Sequence, residues 1–243
     1  MPSSLADPYL KTVRAKEHLE DLRERLRLFR ESQPCRISRE DDFKNQRHII
    51  RSEIKSIPDK LPLIVGDFLY CLRSSLDQLV WALAFQIGMY PKKTQFPIFD
   101  HVDAGKFKGC TSGVPAQAVS IIESLQPYHR RDAAAIKSDP LWRLNKLCNI
   151  DKHRRIPTDA VASDYSFPDF PRQFVSLIEF DNDAGVISIP LSLKSKMTLD
   201  PTAAVHVFFG DSYEGVRCNF TDLESIYDFV TVGVIPRFTG FFK

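Results

Sequence analysis

Residues 69–81 read LYCLRSSLDQLVW and lie at the centre of a long apolar run that contains two opposite charges. The spacing of the apolar residues predicts a largely buried amphipathic helix from about residue 63 to residue 87. Arg73 and Asp77 are four residues apart, so they share one face of this helix and can pair. A charged pair in an apolar helix is costly unless it is satisfied, which indicates a role in packing or in function.

A second polar cluster closes another predicted helix. That helix begins at Asp139-Pro140, a capping residue followed by proline at the first helical position. The members of the cluster are Asp151, Lys152, His153 and Arg154. A histidine between cations, with a carboxylate two residues before it, is suited to acid–base chemistry near neutral pH.

These patterns define a candidate site with two interpretations. In the first, Arg73, Asp77 and His153 are catalytic residues that act on RNA. The candidate binding residues would be Asp151, Lys152, Arg154 and His129. Cations placed in this way can hold a phosphodiester and stabilise the charge that develops during cleavage. In the second interpretation, which we favour, interhelical salt bridges (Arg73 with Asp151, or Asp77 with Arg154) fix how two helices pack.

The order of the predicted elements gives an α+β fold in which a helical N-terminal part packs with a small antiparallel β-sheet and a C-terminal helix. We expect a single interwoven domain over residues 1–243. Its helical part covers about 8–153, its mainly β part about 154–220 and its C-terminal helix about 221–240. Within the helical part, residues 90–113 are predicted to be rich in loops.

The N-terminal helix is predicted over Pro8–Ser32 from apolar residues that recur every three or four positions. These residues are Leu19, Leu22, Leu26 and Phe29. The charged residues between them are typical of a solvated outer face. A second interpretation is that the seam pairs with another copy of the chain.

A polar break is expected over Pro34–Asp42, and an edge-like strand or a short helix over Gln46–Ile57. The early strand is a candidate to join the later sheet. Three strands are predicted beyond residue 155: Phe174–Phe180, Val186–Leu193 and Ala203–Phe209. Thr221 and Glu224 are predicted to form a capping box at the start of the C-terminal helix.

Composition excludes several classes of function. The net charge of +2 is too small to indicate a nucleic-acid binder by itself, and Gly-rich phosphate loops and nucleophile elbows are absent from the sequence. The five cysteines are scattered and form no C-x-x-C pair, which favours a reducing cytoplasm and argues against a disulfide framework and a structural zinc. The six histidines show no H-E-x-x-H motif and do not pair with nearby cysteines, so no metal site is expected, and no cofactor is expected either. A secretory signal and a membrane span are not expected.

Three motifs in succession carry a resemblance to known sequences. LRSSLD at 72–77, FPIF at 96–99 and DKHR at 151–154 resemble the motifs of a group of uncharacterised bacterial proteins. A weaker resemblance is to the HEPN superfamily, helical proteins that include many RNases and often act as dimers. The HEPN signature is an Arg followed by a His on the same helix, and Gln78 stands at the matching distance from Arg73.

The resemblance and the residues together favour a non-enzymatic or degenerate HEPN-like cytoplasmic protein that acts through a homodimer or a protein partner. One alternative is a metal-independent ribonuclease of a toxin or defence system. Another is a small-ligand binding module. Its pocket would be lined by Trp81, Phe96, Phe99 and Trp142.

Overall fold

The structure is a computed structural model that describes residues 4–88, 94–166, 172–181, 185–196 and 202–242. It confirms the α+β class. The described α-helices are α1 Ala6–Glu31, α2 Lys60–Phe85, α3 Ala104–Cys110, α4 Ala116–Ser124, α5 Ala133–Ser138, α6 Pro140–His153 and α7 Phe220–Asp228. The described strands are β1 Cys35–Asp42, β2 Arg47–Ile54, β3 Thr158–Ser166, β4 Glu179–Asp181, β5 Val186–Pro190, β6 Thr202–Asp211 and β7 Val216–Cys218.

The chain divides into two compact units, each made of separate segments. The helical unit comprises Met1–Arg23, Asp59–Pro157 and Phe209–Lys243, and the strand unit comprises Glu24–Pro58 and Thr158–Phe208. The expectation of a single domain stays a prediction.

Helix α2 is the centre of the helical unit, as the opening stretch of sequence predicts. Residues such as Phe68, Leu72 and Leu76 are fully buried along it. The Ser75 hydroxyl donates to the carbonyl oxygen of Pro8 over 3.0 Å and so ties the start of α1 to the middle of α2. Removing these large apolar side chains from water supplies most of the stabilisation of such a helix.

The strand unit contains an antiparallel sheet in the order β1-β2-β5-β4. Its buried core contains Ile50, Ile187 and Ile189. The prediction that the strand near residue 50 joins the later sheet is therefore confirmed. Because β2 pairs with β1 on one side and β5 on the other, the expectation of an edge-like strand is wrong.

The expected polar break over Pro34–Asp42 is also wrong, since Cys35–Asp42 is strand β1. This strand occupies the edge of the sheet, where Arg36, Ser38 and Glu40 stay exposed. Polar side chains suit an edge strand because they disfavour pairing with other chains. The same composition made the segment look like a loop.

Three further expectations need correction. Most of the strand expected over Phe174–Phe180 is a 3₁₀-helix, Arg172–Leu177, and β4 begins only at Glu179. The capping box before α7 is formed by Asn219 and Asp222, whose side chains accept from each other's backbone N–H groups. The segment expected to be rich in loops contains α3. Residues 89–93, around the start of that segment, and residues 182–184, between the strands expected over 174–180 and 186–193, lie outside the described residues.

The apolar seam of α1 is buried rather than open to another copy: Leu19, Leu22, Leu26 and Phe29 all belong to the core.

A second sheet has the order β3-β6-β7. Helix α7 continues into a π-helical turn, Phe229–Val234, and then into a 3₁₀-helix, Ile235–Phe241. Among the described helices, none combines the length and the apolar character needed to cross a membrane.

Candidate functional site on helices α2 and α6

Arg73 and Asp77 form the predicted pair, and together they hold the backbone of Phe96, the first residue of the FPIF segment. Arg73 Nη2 lies 3.1 Å from Asp77 Oδ1 and donates to the carbonyl oxygen of Phe96 over 2.6 Å. The Phe96 N–H donates to the same carboxylate oxygen over 2.8 Å. Both backbone groups of Phe96 are thereby satisfied by one ion pair on α2.

The two members of this pair differ in their exposure to water. The Arg73 side chain is 12% exposed and the Asp77 side chain 36%. Burial raises the pKa of the Asp77 carboxyl, and the charges of Arg73 and Lys152 and the Phe96 N–H oppose that rise. A charge held under such conditions depends on its partners for stability.

The FPIF segment has a second anchor that the sequence does not reveal. The side-chain oxygen of Gln126 accepts the Phe99 N–H over 3.1 Å, and its Nε2 donates to the carbonyl oxygens of Pro97 and Ile122 over 2.9 and 3.0 Å. Gln126 is fully buried. A lone glutamine between a helix and a proline gives no signal of this role.

Asp151 lies against α2 at Gly66. A Cβ atom at position 66 would lie 2.6 Å from one carboxylate oxygen of the exposed Asp151 side chain, so a larger residue there would require that carboxylate to move. Burial raises the pKa of the Asp151 carboxyl, and the negative charge of Asp67 raises it further. The interhelical pair with Arg73 is not formed.

The end of α6 turns its other polar groups outward. Lys152, His153 and Arg154 are exposed. Arg154 Nη2 pairs with Asp211 at 2.7 Å, so the salt bridge to Asp77 is not formed either. Within the described ranges, the His153 imidazole has no hydrogen bond, ion pair or ring contact. Of the expected site, the structure therefore brings together Arg73, Asp77 and the charge of Lys152.

His129 belongs to a different cluster. Its Nε2 lies 3.6 Å from the Glu123 carboxylate, which also accepts the Tyr128 hydroxyl over 2.6 Å. Burial and Glu123 raise the pKa of Tyr128. This arrangement links the end of α4 to the turn that follows it.

Two buried polar atoms of α2, Arg73 Nη1 and Gln78 Oε1, have no partner in the part of the chain that the structure describes. Gln78 Nε2 donates to the Ser74 hydroxyl over 3.4 Å. A side-chain amide does not exchange a proton near neutral pH, so α2 has no acid or base at the position of the HEPN histidine.

The aromatic residues proposed to line a pocket are mostly core. Phe96 and Trp142 are core residues, at 0% and 6% exposed, and Phe99 is half-buried. Trp81 is 43% exposed and stacks on Phe85 with ring centroids 5.0 Å apart, so it does not share a pocket with the buried pair. No group of three or more His, Cys, Asp or Glu residues within the described ranges is arranged to hold a metal ion.

Comparison with known proteins adds no family or relative: no protein-family model, curated protein or solved structure matches this chain.

Proposed function

We propose that this protein is non-enzymatic and works by self-association, as a degenerate HEPN-like protein would. The proposal rests on one observation: Arg73 and Asp77 are both used to hold the backbone of Phe96. A catalytic arginine would need a free guanidinium edge facing substrate, and the unpartnered nitrogen of Arg73 is buried. The pair thus serves packing, and function falls to another surface.

An exposed stripe on α2 supports self-association. Leu63, Tyr70 and Trp81 are 59%, 64% and 43% exposed, although most of this helix is buried. Exposed large apolar side chains that share one face of a helix are typical of interaction sites. We call this face the α2 stripe; it extends about 27 Å at 1.5 Å per residue.

The spacing of the α2 stripe favours a second copy of the same helix as its occupant. Leu63 and Tyr70 are seven residues apart, as are Ser74 and Trp81. A spacing of seven residues is the repeat by which two helices pack along a seam, and a second copy of α2 supplies the same repeat. Lys11 of α1 lies 5.5 Å above the Tyr70 ring and adds a cation beside the seam.

The five free thiols fit the cytoplasmic location that belongs to this proposal. Cys71, Cys110, Cys148 and Cys218 are buried and unbridged, and Cys35 is half-buried. Burial raises the pKa of Cys148 to about 12, so that thiol stays protonated and unreactive.

Sedimentation equilibrium of the wild type, Tyr70→Lys and Val232→Lys tests the proposal. Val232 is the matched control because it is 74% exposed and lies outside α2. We expect a dimeric wild type and control, and an increase of about thirtyfold or more in the dissociation constant of Tyr70→Lys, as for a central aromatic anchor. A monomeric wild type, or equal effects of the two substitutions, would contradict self-association through the α2 stripe.

A further inference from the structure

The strand unit contains a cavity of about 630 Å³ that the proposed function does not use. At about 30 Å³ per water it has room for roughly 20 water molecules, far more than a single ion requires. Its volume lies within the range of about 300–1,000 Å³ that is usual for small-molecule sites.

The apolar lining comes from two strands. Cys35 and Ile37 alternate with exposed Arg36, so they share the inner face of β1, where Ile37 packs against the isoleucine core. Strand β6 contributes Ala203, Ala204, Val205 and His206, of which Val205 is 7% exposed. A ligand that enters this cavity therefore buries an apolar body.

The charged group at the cavity comes from the end of α1. Gln33 has a φ of +49° and its N–H donates to the Arg30 carbonyl oxygen over 3.1 Å, which ends the helix and turns the chain into Pro34 and β1. Arg30, Gln33 and Pro34 of this turn all line the cavity, and Arg30 is exposed. The Arg30 guanidinium has no ion-pair partner among the residues that the structure describes.

We propose that this cavity binds a small organic anion with an apolar body, such as an aliphatic carboxylate, with Arg30 holding the carboxylate. A guanidinium matches a carboxylate because it can donate two parallel hydrogen bonds. The competing explanation is that Arg30 only complements the dipole at the end of α1. That role would stabilise the helix and would give no preference for an anionic ligand.

Cys35 provides a direct readout of occupancy. It lines the cavity and is half-buried, whereas the four other thiols are buried. Burial raises the pKa of the Cys35 thiol, so its reaction with a disulfide reagent is slow enough to follow at mildly alkaline pH. A bound ligand shields this thiol and slows its reaction further.

The experiment measures the rate of Cys35 modification in the full-length protein as decanoate or its neutral analogue, decan-1-ol, is added. We expect saturable protection by decanoate, weaker protection by decan-1-ol, and a loss of about tenfold in decanoate affinity in Arg30→Gln. Arg36→Gln is the matched control, because it removes the same charge from the opposite face of β1. It should bind decanoate like the wild type.

A second variant, Ala203→Phe, fills the cavity and should abolish protection, and circular dichroism checks that each variant is folded. No protection of the wild type at millimolar decanoate would overturn the proposal. Equal decanoate affinities of Arg30→Gln and Arg36→Gln, or equal protection by decanoate and decan-1-ol, would overturn the role of Arg30 in binding. Arg30 would then only complement the dipole at the end of α1.

Discussion

Replacing Arg73 by Met tests whether the α2 pair is a packing device. Met keeps the apolar bulk of the side chain but removes the charge and the 2.6 Å hydrogen bond to the Phe96 carbonyl oxygen. Breaking one partner of a buried pair costs about 3–5 kcal/mol because the other charge stays unpaired. Asp77 is 36% exposed and can recover some hydration, so we take the lower end, about 3 kcal/mol.

The assay is urea unfolding of the wild type and Arg73→Met, followed by circular dichroism and analysed by linear extrapolation. Arg14→Met is the matched control, since Arg14 pairs with Glu17 at 2.6 Å on the exposed surface of α1. The control should leave the midpoint of urea unfolding nearly unchanged, because water screens this exposed pair. If Arg73→Met costs no more than Arg14→Met, the pair does not hold the Phe96 segment and our reasoning fails.

Three further predictions concern the contacts around this pair. Gly66→Ala adds helix propensity to α2 but forces the exposed Asp151 carboxylate to move away from the new Cβ atom, so it should gain less stability in the wild type than the about 1 kcal/mol expected in an Asp151→Ala background. A double-mutant cycle by urea unfolding measures the difference, and equal gains in the two backgrounds would contradict this contact. The folded-state pKa of Asp151 is raised above the unfolded-state value of 3.8, so the folded protein binds more protons than the unfolded chain between the two pKa values. The free energy of unfolding therefore falls as pH rises through that window. Asp151→Asn should flatten this slope in unfolding curves measured at a series of pH values, and an unchanged slope would contradict the raised pKa. Gln126→Leu should lower the free energy of unfolding by about 1–3 kcal/mol, because it leaves the Phe99 N–H and the Pro97 carbonyl oxygen without their side-chain partner. A loss of less than about 0.5 kcal/mol in urea unfolding would contradict the anchoring role of Gln126.

The sequence predicts those features that depend on periodicity. The apolar spacing around residues 69–81 predicts α2, and the i, i+4 rule predicts the pairing of Arg73 and Asp77. The Asp139-Pro140 start of α6 is likewise confirmed, because an N-cap carboxylate followed by proline acts within one turn.

The remaining features depend on contacts between distant segments. The pair's third partner is the backbone of Phe96, which has no side-chain signature, and the second anchor is a lone buried glutamine, Gln126. Strand β1 has too few apolar residues to stand out, because an edge strand with a solvated face needs only Cys35 and Ile37 turned inward. Arg154 pairs with Asp211, 57 residues away, so neighbouring residues could not predict its partner.

Incubation of the purified protein with a mixed pool of labelled RNAs tests the central claim most directly. We expect no cleavage by the wild type, and we expect Arg73→Met and His153→Ala to differ from it only in stability, with Arg73→Met the less stable of the two. The opposite result is cleavage by the wild type that is lost in both variants while both remain folded by circular dichroism. It would contradict the packing role of Arg73 and establish Arg73 and His153 as catalytic residues.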